Sequence, residues 1–438
     1  MNTLDTKAAR GLLDACIAAP ADDAPRMAWA NAVGGERGEL VVIQCELARG
    51  GLPRETAIAR RRREAELLAR HGKAWAGLDG LAESWTFRRG FVEEANVDAR
   101  TFAEKGEALF AAAPLLARVE FEGLHDVALD EIAGRLERAL SSPYFARLRG
   151  LRFDRVGNTV ETDRDTHPHD FQSAGSNVLK RVIETGSLRA LRALELPRCA
   201  LSSQDVARLA DSPDAAGLVE LDLRYQQVDR YMGLYPADVQ KVVDSPNLAR
   251  LEALDISGAL GRAPWLGGQT RAQRAEADLK QSRRDPALIK HTRILGLRRL
   301  GLAACRFNDG MFDALAAAPF RLLEWLNVSQ SDFFAEDFER FGAAPGLAGL
   351  VELVFDGPSK YTFNAKMAAA LGAATRFDAL RILRLRNCYM DEVAARTLLV
   401  SPLARRLEII DLRWNREPEK SADALRKLFD GLLLLGEK

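Results

Sequence analysis

A surplus of charge of either sign is missing from this sequence: 62 Lys and Arg face 62 Asp and Glu across 438 residues. A chain that holds nucleic acid through its bulk field carries a cationic excess, so only a local basic patch is left to that reading. Histidine is scarce, with five scattered copies that make no case for a catalytic triad. The five cysteines, Cys16, Cys45, Cys199, Cys305 and Cys388, are odd in number and far apart. That argues against a disulfide framework and for a reducing cytoplasm. No stretch approaches the roughly 20 apolar residues of a membrane helix. The opening residues, Met1 to Arg10, lack a signal-peptide layout. Also missing are a Gly-rich phosphate loop, a Gly-x-Ser-x-Gly elbow and a His-Glu-x-x-His pair. The expectation is a cytoplasmic, non-catalytic protein with no cofactor and no metal, working away from membranes.

What is present is repetition. With 47% hydrophobic and 28% charged residues the chain has a folded, soluble composition, and its length suits two or three domains or one repeat array. The phrase Leu-x-x-Leu-x-Leu, with Val, Ile or Phe allowed, begins at Leu116, Leu148, Leu191, Leu218, Leu251, Leu297, Leu323, Leu350, Leu380 and Leu407. Successive copies start 26 to 46 residues apart. Within each phrase the last two apolar residues alternate with others, as a short strand with one buried face requires. Three residues beyond the last apolar position stand Cys199, Gln226, Cys305, Ser331, Cys388 and Asn415. A small or polar side chain there turns inward and satisfies backbone groups as the chain leaves the strand. This gives three of the cysteines a structural role.

Amphipathic helical stretches follow the strands, as at Ser203–Ala210, Asp309–Ala316 and Asp391–Leu398, with Ser or Asp near the start to cap them. They stop at prolines such as Pro143, Pro213, Pro246, Pro319, Pro345 and Pro402, which cannot continue the backbone ladder.

The phrase, the Asn/Cys column and the full helix resemble the ribonuclease-inhibitor type of leucine-rich repeat. The resemblance implies an α/β solenoid, a curved parallel sheet inside and helices outside, over residues 115–415, with insertions near 157–177 and 258–290. Before it, the stretch from Leu12 to Arg49 resembles a small repeat-companion domain found ahead of repeat arrays in bacteria such as myxobacteria and planctomycetes. The phrase Trp85-Thr-Phe-Arg-Arg-Gly-Phe91, followed by Ala111-Ala-Ala-Pro-Leu115, is similar to its junction with the repeats. Where that family has a Tyr-Ala-Asp-Trp-like phrase, this chain has Ala28-Trp29-Ala30-Asn31. The implied organisation is a mainly helical domain over 1–80, a junction and N-terminal cap over 81–114, the repeats, and a C-terminal capping helix over 416–438. Terminal repeats need such polar-faced caps.

Three charged stretches are candidates for chemistry. His167 and His169 near Asp163, Asp165 and Asp170 could hold a metal, but the polar, glycine-flanked setting reads as a solvated loop. Arg60 to Arg63 could meet phosphates, but Glu64 and Glu66 follow, which reads as a charged helix face. The segment from Arg262 to Arg284 reads as an exposed loop or short helix, with a partner-binding lid as the alternative.

Alternation sends Glu195, Asp222, Asp255, Asn327, Arg384 and Asp411 to the outward face of the sheet, with Arg224, Arg386 and Arg413 in the next outward column and Trp325 in another. Such a face suits large protein ligands. The expectation is a protein-binding scaffold or recognition subunit whose contacts centre on Trp325, Arg384, Arg386 and Arg413, with Asp222, Asp255 and Asn327 on the same surface. A nucleic-acid-binding repeat protein is the alternative, and an enzyme in the N-terminal domain a more distant one.

Overall fold

The computed structural model describes residues 7–124, 129–156, 174–226, 234–260, 273, 276, 285–305, 309–331, 333–357, 362–415 and 421–436. They fall into two compact units, Met1–Asp154 and Arg155–Lys438. The His167/His169 loop and almost all of Arg262 to Arg284 lie outside the described residues.

The first unit opens with four helices: α1 (Lys7–Ala18), α2 (Asp23–Val33), α3 (Gly35–Arg49) and α4 (Arg54–Ala76). The apolar spacing of Leu12, Cys16, Leu40, Ile43 and Cys45 packs them together. Cys16, Trp29, Val41, Cys45 and Phe91 form one buried cluster, and Leu40, Ile43 and Leu67 another. Next come strands β1 (Ser84–Arg88) and β2 (Phe91–Asp98), an antiparallel hairpin. Helix α5 (Ala99–Ala112), capped by Asp98, then leads to β3 (Arg118–Glu122), α6 (Leu129–Leu140) and β4 (Gly150–Arg152). β3 joins β2 in parallel, and β4 joins β3.

The hairpin turn is fixed to the helices at Gly90. Its φ is 89°, and a Cβ there would meet Val41 Cγ2 at 2.3 Å. Its N–H donates to Gln44 Oε1 at 2.6 Å. Arg26, fully buried, donates to the Pro20 and Arg89 carbonyls and to Glu93. Only glycine allows so close an approach of turn and helix.

The second unit is an α/β solenoid. Strands β5 (Ala193–Glu195), β6 (Glu220–Asp222), β7 (Ala253–Asp255), β8 (Arg299–Gly301), β9 (Trp325–Asn327), β10 (Glu352–Val354), β11 (Ile382–Arg384), β12 (Ile409–Asp411) and β13 (Leu432–Leu434) pair in parallel, in chain order. The central leucines of the phrases stand in register: Leu194, Leu221, Leu254, Leu300, Leu326, Leu353, Leu383 and Ile410. All are buried, as are the last apolar residues such as Leu302 and Leu385. Helices such as Ser203–Asp211, Pro236–Asp244, Ala335–Gly342 and Glu392–Leu399 follow the strands. Their starts are capped as the sequence requires: Ser202 and Asp205 form a capping box, and Asp391 accepts from the Ala394 N–H at 2.7 Å. The caps also join neighbours, since the Ser203 hydroxyl donates to Asp238 in the next repeat's helix at 2.8 Å.

The inward polar column is present. Asn415 is fully buried; its Oδ1 accepts from the Cys388 and Met390 N–H groups at 2.8 and 3.0 Å, and its Nδ2 donates to the Leu385 and Leu412 carbonyls at 2.7 and 2.9 Å. Gln226 does the same between Leu201 N–H and the Leu196 carbonyl. The cysteines replace these with weak sulfur contacts, as from Cys388 Sγ to the Phe355 carbonyl at 3.1 Å. Cys199, Cys305 and Cys388 are buried and free of disulfides.

One column was not anticipated. Two residues past the last apolar position, the backbone is left-handed in every copy: Gly123, Arg155, Arg198, Tyr225, Gly258, Ala304, Gln330, Gly357, Asn387 and Trp414. Only three are glycine. From Arg155 to Asn387, each donates its N–H to a carbonyl of the following repeat, as Ala304 does to Ser329 at 2.8 Å and Asn387 to Arg413 at 3.0 Å. These bonds extend the sheet ladder past the strand and hold the strained turn.

The C-terminal segment differs from the expected capping helix. The helix is only Ala422–Arg426, and Leu432–Leu434 pairs with β12 as the last strand. An unbroken run of leucines carries no period that separates helix from strand. Here the open edge of β12 supplies the hydrogen bonds.

Candidate partner-binding surface

The outward positions of the second unit carry two charged clusters. At β6 and β7, Asp222 and Asp255 stand in register. They are outward by alternation yet only 8% and 7% exposed. This corrects the expectation of two open acidic contacts. The carboxylates fold onto their own strand exits instead. Asp222 accepts from the Arg224 N–H at 3.0 Å, and Asp255 accepts from the Ser257 N–H and hydroxyl at 3.0 and 2.6 Å. Asn327 does likewise with Ser329. Such short acceptors bonding two residues ahead are a known turn device. Burial, then the neighbouring Asp255 charge, pushes the Asp222 carboxyl up to about 7. Burial also pushes the Tyr225 phenol up to about 12.

The second cluster surrounds Asp411 at the end of β12. Arg413 grips it with two bonds, at 2.9 and 2.7 Å, and Arg384 reaches it at 3.4 Å. Arg384 also binds Glu352 on β10, and Arg386 binds Asp356 at 2.7 Å through Nε and at 2.8 Å through its N–H. The three arginines singled out from sequence are thus brought together, half-buried, over an Asp411 that is 0% exposed. Each is already paired with a carboxylate.

Trp325 lies on β9, half-buried, in register with Glu352, and the Arg299 guanidinium of β8 stands 5.1 Å over its ring. The most exposed aromatic of this cluster is Trp414, which sequence reasoning passed over. It is 57% exposed, with Arg386 and Arg413 at 5.4 and 5.6 Å from its ring. Its signal was available: a tryptophan stands two residues past the last apolar position, in a column whose only other aromatic is Tyr225.

In the first unit, the basic run is a charged helix face. Arg63 binds Glu36 and Glu39 of α3, and Arg60 binds Glu46. Among the described residues no group of His, Cys, Asp and Glu is arranged to hold a metal, and no helix is long and apolar enough to cross a membrane.

Fold and surface together define the class: a leucine-rich-repeat-like solenoid with an N-terminal helical region and a mixed charged and aromatic outer sheet face. No protein-family model and no curated protein matches the sequence. Among solved structures, the complex of Rad7 and Elc1 in yeast is similar to 92% of this chain over 90% of that one, at 14% identity and a TM-score of 0.47.

Proposed function

We propose that this protein is a non-catalytic, protein-binding scaffold or recognition subunit, and that its partner lies over the outward sheet face between Trp325 and Trp414. The observation that carries the reading is Trp414, exposed between two arginines that are already anchored on Asp356 and Asp411. Anchoring removes much of the entropy a partner would otherwise pay to order those side chains. Trp and Arg are the residue types most often found as interface hot spots. By the same reading, the repeats are of the ribonuclease-inhibitor type, the N-terminal helices are a bacterial repeat-companion domain, and the protein works in the cytoplasm.

A photo-crosslinking amino acid at position 414, in cells that make the protein, tests the site. The expected result is one dominant protein adduct that disappears with Arg386→Glu and persists with a control substitution on the helix face, Val393→Ser. No adduct at 414, or one indifferent to Arg386→Glu, removes this surface from consideration. Nucleic-acid binding is disfavoured by the same pairing, because arginines bonded to carboxylates have little charge left for phosphates. A salt-dependent gel shift that saturates would reverse that.

A further inference from the structure

Arg37, in the first turn of α3, has no carboxylate partner among the described residues. Its guanidinium carbon lies 5.2 Å from the Trp29 ring, 5.3 Å from Trp75, 5.7 Å from Phe87 and 5.4 Å from Phe91. Its Nη1 is sealed from solvent without an acceptor, and so is the indole Nε1 of Trp29. The acidic neighbours are committed elsewhere. Glu36 is held by Arg63, Arg70 and His71, and Glu39 by Arg63. Burial pulls the Arg37 pKa down to about 10, which still leaves it charged at neutral pH.

Arg26 of the same unit is the contrast: two carbonyls and a carboxylate satisfy its two terminal nitrogens, and only its Nε is sealed off without an acceptor. The four rings around Arg37 attract its charge by cation–π interaction. They carry no acceptor atom for its N–H groups, and Nη1 is left without one. A desolvated charge left in this state is costly. Yet the side chain is not closed off. Arg37, Trp75 and Phe87 are only half-buried, and His71 stacks on Trp75 at 4.7 Å. The result is an unpaired cation behind an aromatic rim.

We propose that Arg37, flanked by the half-buried Trp75 and Phe87 and backed by the buried Trp29 and Phe91, is a docking site for a carboxylate side chain presented by an acidic segment of a partner protein. The planar fork of arginine matches a carboxylate with two parallel bonds. The apolar rim excludes water and strengthens the pairing. The site lies in the first unit and does not depend on the sheet face proposed above.

Hexaglutamate titrated into the full-length protein at low salt, followed by tryptophan fluorescence, tests this, with hexalysine as the control. The expected result is a saturable change with hexaglutamate alone. The signal should be lost in Trp75→Phe, and binding should weaken at least tenfold in Arg37→Met, which keeps the packing volume without the charge. If Arg37→Met melts below the assay temperature, Arg37→Lys replaces it, keeping the charge without the fork, and should bind several-fold more weakly. Binding unchanged in the substituted protein shows Arg37 to be only a staple between the rings and overturns the proposal. So does an equal response to hexalysine, or no saturable response.

Discussion

Asp222 and Asp255 share one guanidinium: Arg224 Nε lies 3.3 Å from Asp222 and its Nη1 lies 3.7 Å from Asp255. One cation between two buried carboxylates leaves the pair a charge short. Burial and Asp255 accordingly push the Asp222 carboxyl up to about 7.

The sign of the consequence is opposite to that of an ordinary ion-paired aspartate. An unfolded Asp titrates near pH ~3.9, so the folded chain holds this proton more tightly. The stabilisation is fully present below that pH and is lost as pH rises through about 7. Asp222→Asn keeps the acceptor for the Arg224 N–H and removes the charge. Denaturant unfolding at pH 5 and pH 8 should show the substituted protein gaining on the wild type at the higher pH, by on the order of 1–3 kcal/mol. An equal difference at both pH values would rule this out.

The left-handed turn column predicts a stabilising substitution. Ala304, at φ 52°, bears a cost that glycine does not. Ala304→Gly should raise stability by up to about 1 kcal/mol after the extra unfolded-state entropy of glycine. Gly258→Ala, at φ 85°, should lower it by about 1–2 kcal/mol. Thermal melts of the two variants should move in opposite directions; movement in the same direction would contradict the strain argument.

Asn415 makes four hydrogen bonds to backbone inside the core. Asn415→Ala orphans groups in two repeats and should cost about 2–4 kcal/mol. Leu383→Ala, a cavity in the strand row between Leu353 and Ile410, should cost ~2–5 kcal/mol. Losses below 1 kcal/mol at both sites would mean that the column and the leucine row do not carry the fold.

All five cysteines are buried and free, and burial pushes the thiols of Cys16, Cys45 and Cys388 up, Cys45 to about 11. A thiol reagent at pH 8 should therefore label none of them quickly in the native protein and all of them in denaturant. Rapid labelling of Cys199, Cys305 or Cys388 would show that the column opens to solvent.

Strand positions, their register and the inward column were legible because the phrase repeats its burial pattern at every copy from Leu116 to Leu412. The hairpin Ser84–Asp98 was not, because Trp85 and Phe87 are only half-buried and its turn is fixed by distant partners, Arg26 and Gln44. The final strand was hidden in a featureless leucine run. At the surface, sequence brought out Arg384, Arg386, Arg413 and Asp411, but not that Arg384 pairs with Glu352 and Arg386 with Asp356 across neighbouring repeats. It also could not show that Asp222 and Asp255 bend back onto their own backbone. Trp414 escaped because its column was judged only by where the phrases end.

The bonds past each strand all run one way: the N–H of the turn residue belongs to the earlier repeat and the carbonyl to the later one. From Arg155 to Asn387 each copy thus carries a donor edge that meets an acceptor edge in the next, whatever its side chains and whatever the length of its helix. A gene duplication that copies one whole unit always joins edge to edge correctly, while one that copies part of a unit leaves both rows out of step. Such an array changes length in whole steps, and its reach grows without redesign of a core.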